Sequence, residues 1–169
     1  KAISTVQLLS LVVARRALED AGYGSRPLER SRVSAVFTNS GQDNLGLGYG
    51  LRSSLPHLLS QTALGERARE QVLAAFRAVL PEWTEDSFPG FLPNLTAGRV
   101  ANLLDLHGEN LIIDAACASS LAALAHAVAL LRAGASDAVL VGGVDRGMGP
   151  FAYTAFSRTQ ALSPRDVSC

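Results

Sequence analysis

Apolar positions in this chain switch between helical and strand periods, and the switches mark its elements. Val6, Leu8, Leu9, Leu11, Val12 and Val13 cover a wide helical face and predict a helix over 5–20, with Gly22 as its stop. A polar connection over 25–32 contains Pro27, and Val33 to Thr38 alternates weakly as a strand does. Residues 39–50 carry Gly46, Gly48 and Gly50 and read as a turn or an active-site rim rather than a helix. Residues 51–64 are ambiguous, with room for a short helix around 56–61. Ala68, Val72, Ala75, Phe76 and Val79 lie on one side of an amphipathic helix over 66–80, which Pro81 ends. The stretch 83–93, with Pro89, Gly90 and Pro93, reads as a loop.

Asn94 is placed to cap a helix from Leu95 to about Leu106, closed by His107 and Gly108. A short apolar strand over 110–114 follows. Leu121, Leu124, Ala125, Val128 and Leu131 then recur at helical spacing, and that helix runs to about Ala133 with Gly134 behind it. Residues 137–143 form a further buried strand, Pro150 to Thr159 a helix, and 161–169 a loop. Strands separated by helical stretches predict an α/β fold, a mostly parallel sheet with helices on both faces. The stretch from about 40 to 93 is too long for an ordinary strand-to-helix connection and reads as a cap inserted over the site.

Composition narrows the function classes. The chain has 169 residues, 48% hydrophobic and 18% charged, which is globular and not disordered. Formal net charge is zero, with no basic block, so nucleic-acid binding has no electrostatic support. No apolar run reaches the roughly 18–20 residues of a membrane span. Two cysteines without a secretory layout do not form a disulfide framework, and a reduced, cytoplasmic chain is expected. The glycine run at 46–50 lacks both the dinucleotide fingerprint and a following Gly-Lys-Ser/Thr, so nucleotide binding is the weakest reading. No set of Cys, His and carboxylates has metal-ligand spacing, and no carboxylate pair suggests glycosidase chemistry.

The chemistry centres on Asp114-Ala115-Ala116-Cys117-Ala118-Ser119-Ser120-Leu121. Cys117 falls where a strand turns sharply into a helix, among small side chains that let the backbone bend and a substrate approach. A cysteine at a helix N-terminus faces unpaired N–H groups and the positive end of the dipole, which favours thiolate. The layout is that of a nucleophile elbow with sulfur in place of the hydroxyl. A lone cysteine beside alanines is otherwise a small buried hydrophobe, and the elbow pattern alone leaves both readings open. Asp114 reads as an anionic base or, as its spacing favours, a cap on the turn, and Ser119 and Ser120 are placed to bond backbone in the first helical turn. His107 reads as a surface cap, His126 as packing or a dimer contact, and His57 has no assigned role.

The run 114–124 resembles the active-site cysteine signature of β-ketoacyl synthases, the condensing domains of polyketide and fatty acid synthases. Ala17 to Tyr23, Ala97 to Asn102 with Leu106-His107-Gly108, Val141 to Val144, Phe156-Ser157-Arg158 and Ala161-Leu162-Ser163 resemble other family segments in the right order. The resemblance covers nearly the whole chain. Ala118 departs from it, standing where many members have Ser.

The resemblance implies a partial domain over residues 1–169, the N-terminal half of a ketosynthase of type I polyketide synthases, in the thiolase-like superfamily. It implies that Cys117 accepts an acyl group as a thioester, and that a malonyl-type thioester then decarboxylates and condenses with it. The Cys117 N–H would contribute to an oxyanion hole. The other oxyanion donor and two catalytic histidines would lie beyond Cys169, marked by a His-Gly-Thr-type motif. Phe156 would line the acyl pocket, with core packing as its other reading. No cofactor is expected to bind directly; substrates would arrive on the phosphopantetheine arm of an acyl carrier protein. Partners implied are that carrier protein, the C-terminal half and a second copy of the chain paired through the strand at 110–114, with no nucleic acid and no membrane. The competing reading is a catalytically incomplete fragment used for dimerisation or scaffolding.

Overall fold

The computed structural model describes residues 2–39, 44–79, 82–145, 149–165 and 167. Helix α1 spans Thr5–Leu18 and is capped by the Ser4 hydroxyl, which accepts the Val6 N–H. It runs on through a wider turn, Glu19–Tyr23, and stops where Gly22 takes φ +85°. That left-handed conformation is the reason glycine ends the helix here.

Strand β1, Val33–Thr38, is the middle of a three-stranded sheet and is buried along its whole length. Strand β2, Asn110–Ile112, and strand β3, Ala138–Gly143, lie on either side of it, both parallel to it. Helix α5, Leu95–Leu103, covers one sheet face with α1; helix α6, Ser119–Arg132, covers the other. The alternation of β1 assigns its side chains accordingly. Val33, Ala35 and Phe37 enter a core with Ala14, Ala97, Val100, Ala101 and Leu106, whereas Val36 packs on Ala123 and Leu130. The expected α/β class, with helices on both faces of a parallel sheet, is therefore present.

Residues 44–93 hold most of the differences from expectation. Helix α2 spans Asn44–Ser60 and includes Gly46, Gly48, Gly50 and Pro56, where a glycine-rich turn and a short helix over 56–61 were expected. Packing overrides the poor local propensity. Tyr49 is buried, its ring 4.4 Å from Trp83 and 5.7 Å from Phe91. A Cβ at Gly46 would lie 3.3 Å from the Phe91 ring, so glycine lets α2 approach closely. Helix α3, Glu66–Val79, matches the expected helix, Leu80 and Pro81 lying outside the described residues. The expected loop over 83–93 contains a short helix α4, Ser87–Phe91, held to α1 by the Gln7 amide, which donates to the Pro89 and Leu92 carbonyls.

Several boundaries shift. Helix α5 ends at Leu103 rather than near Leu106, and Asn94 does not cap it: its backbone is already helical (φ −61°, ψ −25°) and its side chain makes no capping bond. Strand β2 stops at Ile112, two residues before the expected end. Helix α6 ends at Arg132, with Gly134 at φ +64° behind it. Helix α7, Pro150–Arg158, begins with the predicted proline.

The base of the sheet is tied by Arg32, which donates to both carboxylate oxygens of Asp137 at 3.0 Å and to the Gly134 carbonyl. The hydrogen bond from Arg32, aided by its charge and opposed by partial desolvation, holds the Asp137 carboxyl below its ordinary 3.8. A depressed carboxyl contributes stability that is present above the ordinary value and lost as pH falls through the folded one. The expected result of a ¹³C carboxyl titration is an Asp137 midpoint below 3.8 that moves back up to it in Arg32→Gln. An unmoved midpoint would show that the pair is not formed in solution.

Candidate active site

The site is built on the chain leaving β2. The Ile113 N–H still donates to the Phe37 carbonyl at 2.9 Å, which fixes the exit point beside the central strand. Asp114 then turns the backbone: its Oδ1 accepts the Ala116 N–H at 2.9 Å, as its spacing predicted. Ala116 takes φ +49°, a left-handed conformation that costs a non-glycine residue roughly 1–2 kcal/mol. Cys117 follows in a 3₁₀ turn, Ala116–Ala118, which runs directly into α6. The cysteine thus stands one short turn ahead of the α-helix rather than inside its first turn.

Hydrogen bonds define this corner closely. The Ala118 N–H donates to the Ala115 carbonyl at 3.0 Å. The Ser119 N–H donates to the Ala116 carbonyl. The Ser119 hydroxyl accepts the Ala115 N–H at 2.8 Å and donates to the Ala116 carbonyl at 2.6 Å, in keeping with the backbone-bonding role predicted for it. The N–H groups on either side of Cys117, those of Ala116 and Ala118, are therefore both engaged within the turn. Cys117 itself is a free, exposed thiol. The buried-hydrophobe reading does not fit this position.

Glycines at the end of β3 make room for the corner. A Cβ on Gly143 would lie 2.5 Å from the Ser120 hydroxyl oxygen, and one on Gly142 would lie 2.4 Å from the Phe37 ring. The first turn of α6 therefore rests on bare backbone. The positive φ of Ala116 had no sequence signal, since alanine has no preference for that region; the glycine pair at 142–143 was visible, but not its reason.

The other predicted positions do not gather at Cys117. His107 is exposed and contacts Asp105 at 3.1 Å. His126 contacts Glu109 at 3.4 Å, linking α6 to the residue before β2. His57 meets Gln61 within α2 at 2.9 Å. Phe156 lies on α7 and is 37% exposed. Cys169 lies outside the described residues. The glycines at 46–50 form helix, not a phosphate-cradling loop. Among the described residues no group of three or more His, Cys, Asp or Glu could hold a metal ion, and no helix is long and apolar enough to cross a membrane. A cleft of about 360 Å³ between α2 and α3 is lined by Arg52, Leu55, Leu73, Phe76, Arg77 and Trp83 among others, and none of its lining comes from the cysteine turn.

Helix α6 buries Ala123, Ala127 and Leu130 and leaves its predicted apolar stripe outside: Leu121, Leu124, Val128 and Leu131 are exposed, Leu121 by 73%. Helix α1 likewise buries Gln7, Ser10 and Ala14 and exposes Leu8, Leu9, Val12 and Val13. On α6 two alanines and Leu130 are turned inward, and on α1 Val6 is buried beside Gln7, Ser10 and Ala14, while most of the larger apolar side chains face outward.

Known proteins resemble this chain in sequence and in fold. A family model described as the N-terminal domain of β-ketoacyl synthase matches residues 1–169. A polyunsaturated fatty acid synthase polypeptide from Thraustochytrium sp. is 35% identical over 93% of this chain, which spans 6% of that protein. Polyketide synthase GfsA of Streptomyces halstedii is 32% identical over 99% of this chain, which spans 2% of that protein. A β-ketoacyl synthase from Burkholderia phymatum superposes with a TM-score of 0.67 at 24% identity, covering 98% of this chain and 35% of its own. A type II polyketide ketosynthase, solved with its acyl-carrier protein and bound to a hexaketide, superposes with a TM-score of 0.68 at 19% identity over 99% of this chain and 37% of its own.

Proposed function

Because the chain belongs to the β-ketoacyl synthase N-terminal domain family, we propose that it forms the acyl-accepting half of a condensing enzyme of polyketide or polyunsaturated fatty acid type, with Cys117 as the nucleophile. The observation that carries this reading is the exposed thiol on a tight strand-to-helix turn. The Cys117 thiolate attacks the carbonyl carbon of an acyl thioester on a carrier protein. The oxyanion that forms is met by the Cys117 N–H, whose neighbouring donors are already used in the turn. Collapse breaks the bond to the phosphopantetheine sulfur, which leaves as thiolate and takes a proton, and the acyl group remains on Cys117. In the second half-reaction a malonyl-type thioester loses carbon dioxide. Its enolate attacks the acyl carbonyl, and Cys117 leaves as thiolate. Groups that assist decarboxylation are supplied from outside residues 1–169.

The same reading assigns partners. The open apolar face of α6 is the seat of a C-terminal half, consistent with a chain spanning about a third of the solved ketosynthases it superposes on. Edge strand β2 is the place for pairing with a second copy, as an isologous contact. Phe156 lines the acyl pocket. No cofactor binds directly.

The test is acyl loading. With the full-length protein and an acyl thioester on its carrier protein, mass spectrometry is expected to find the acyl group on Cys117. Iodoacetamide is expected to label Cys117 ahead of Cys169 and to block that loading. Equal or reversed labelling, or no acyl group on Cys117, would leave a scaffold as the role of this half.

A further inference from the structure

We infer that Ser119 is a positioning residue for the acyl-transfer step, its hydroxyl clasping the turn that aims Cys117 and the N–H of Cys117 at a thioester. The inference rests on the reading of Cys117 as nucleophile. The strained residue of the turn is Ala116, at φ +49°, and it directly precedes the cysteine. An alanine does not hold that conformation by itself. Two side chains hold it from opposite ends. Asp114 takes the N–H of Ala116, and Ser119 donates to its carbonyl while accepting the N–H of Ala115. The hydroxyl thus bridges a donor and an acceptor on consecutive residues, using its one proton and one of its two lone pairs. From Asp114 to Ser120, Ser119 is the half-buried residue; the rest of the turn is exposed. Helix α6 in turn fixes Ser119, because its Ala123 and Leu130 pack with Val36 of β1. The hydroxyl is therefore the side-chain link from α6 and the core to the turn that orients the nucleophile.

The two half-bonds matter for direction more than for reactivity. Attack on a thioester needs the sulfur on the carbonyl carbon and an N–H on the developing oxyanion at once. Alkylation by iodoacetamide is a displacement at a CH₂ group and needs no oxyanion donor. Loss of the Ser119 hydroxyl leaves the Ala115 N–H to water and the Ala116 carbonyl with the Ser119 N–H alone, and lets the turn relax. The acylation rate should then fall while the alkylation rate barely changes. The reacting sulfur stays exposed in both cases.

The experiment compares wild type, Ser119→Ala and Ser119→Thr in the full-length protein. Each is assayed for single-turnover acylation by a carrier-bound acyl thioester and for alkylation by iodoacetamide, with circular dichroism to confirm folding. Ser119→Ala is expected to lower the acylation rate roughly 10- to 100-fold, the scale of a small misplacement, with alkylation held within about threefold. Ser119→Thr, which restores both bonds, is expected to recover acylation to within about threefold of wild type. Unchanged acylation in Ser119→Ala would overturn the inference, as would equal losses in both reactions. Absence of acylation in the wild-type protein is a different outcome, since it would remove the nucleophile reading itself.

Discussion

Cys117→Ala is expected to stop acyl loading and condensation in the full-length protein, with a fall of at least about 10³-fold in rate, while leaving the fold intact. The size follows from the chemistry. A covalent thioester divides one difficult carbon–carbon bond formation into two accessible steps, and Cys117 is the thiol at the turn that can form it. Asp114 and Ser119 are occupied as acceptors or donors to the backbone, and the described contacts of the three histidines lie elsewhere. The fold is expected to tolerate the change because Cys117 is exposed, so its replacement lies within about 0.5 kcal/mol of neutral. Cys117→Ser keeps the shape but replaces a thiol with a hydroxyl that ionises far less readily, and its loading should fall by more than about tenfold. Mass spectrometry of the loaded protein and a condensation assay check both variants. Full loading of Cys117→Ala would move the nucleophile elsewhere in the chain.

How much of this was legible in the sequence depends on whether local preference and tertiary packing agree. For β1 they agree: Val33 to Thr38 is a short β-branched and aromatic run whose bounds are those observed. For α3 the 3.6-residue period is strong enough to fix the helix without help from neighbours. For α2 they conflict. Gly46, Gly48, Gly50 and Pro56 argue against a helix, and its packing comes from Trp83 and Phe91, more than 30 residues away in sequence. A reading by windows could not see those rings. For α6 the helix was legible but its inward face was not. Size misleads here: Ala123 packs against Val36 of β1, while Leu121 and Leu124 remain outside. The turn around Cys117 was visible as a cluster of small residues, and its Asp114 and Ser119 bonds followed from spacing. The left-handed Ala116 was not visible, because it is imposed by those bonds and not by alanine.

The second large effect lies in the core beneath the site. Phe37 is 3% exposed at the centre of the sheet, and its ring lies across the bare backbone of Gly142, its register partner on β3. Phe37→Ala removes a buried ring and should cost about 3–5 kcal/mol. Gly142→Ala puts a methyl group 2.4 Å from Cε1 and 2.8 Å from Cδ1 of that ring, so the ring must move within a packed core. Overpacking of this kind costs roughly 1–3 kcal/mol. The two substitutions act on the same volume and should not add. In Phe37→Ala the new methyl group at 142 enters space the ring has left, so the double variant should be more stable than the sum of the singles by at least about 1 kcal/mol. Native-state hydrogen exchange over residues 33–38 in the full-length protein reads these differences directly, about tenfold in protection for each 1.4 kcal/mol. Because the Phe37 carbonyl also accepts the Ile113 N–H at the exit of β2, loosening Phe37 should weaken protection at Ile113 as well. Additive costs in the double variant would mean that the ring does not lie over Gly142 in solution, and the cysteine turn would then have to draw its support from elsewhere in the core.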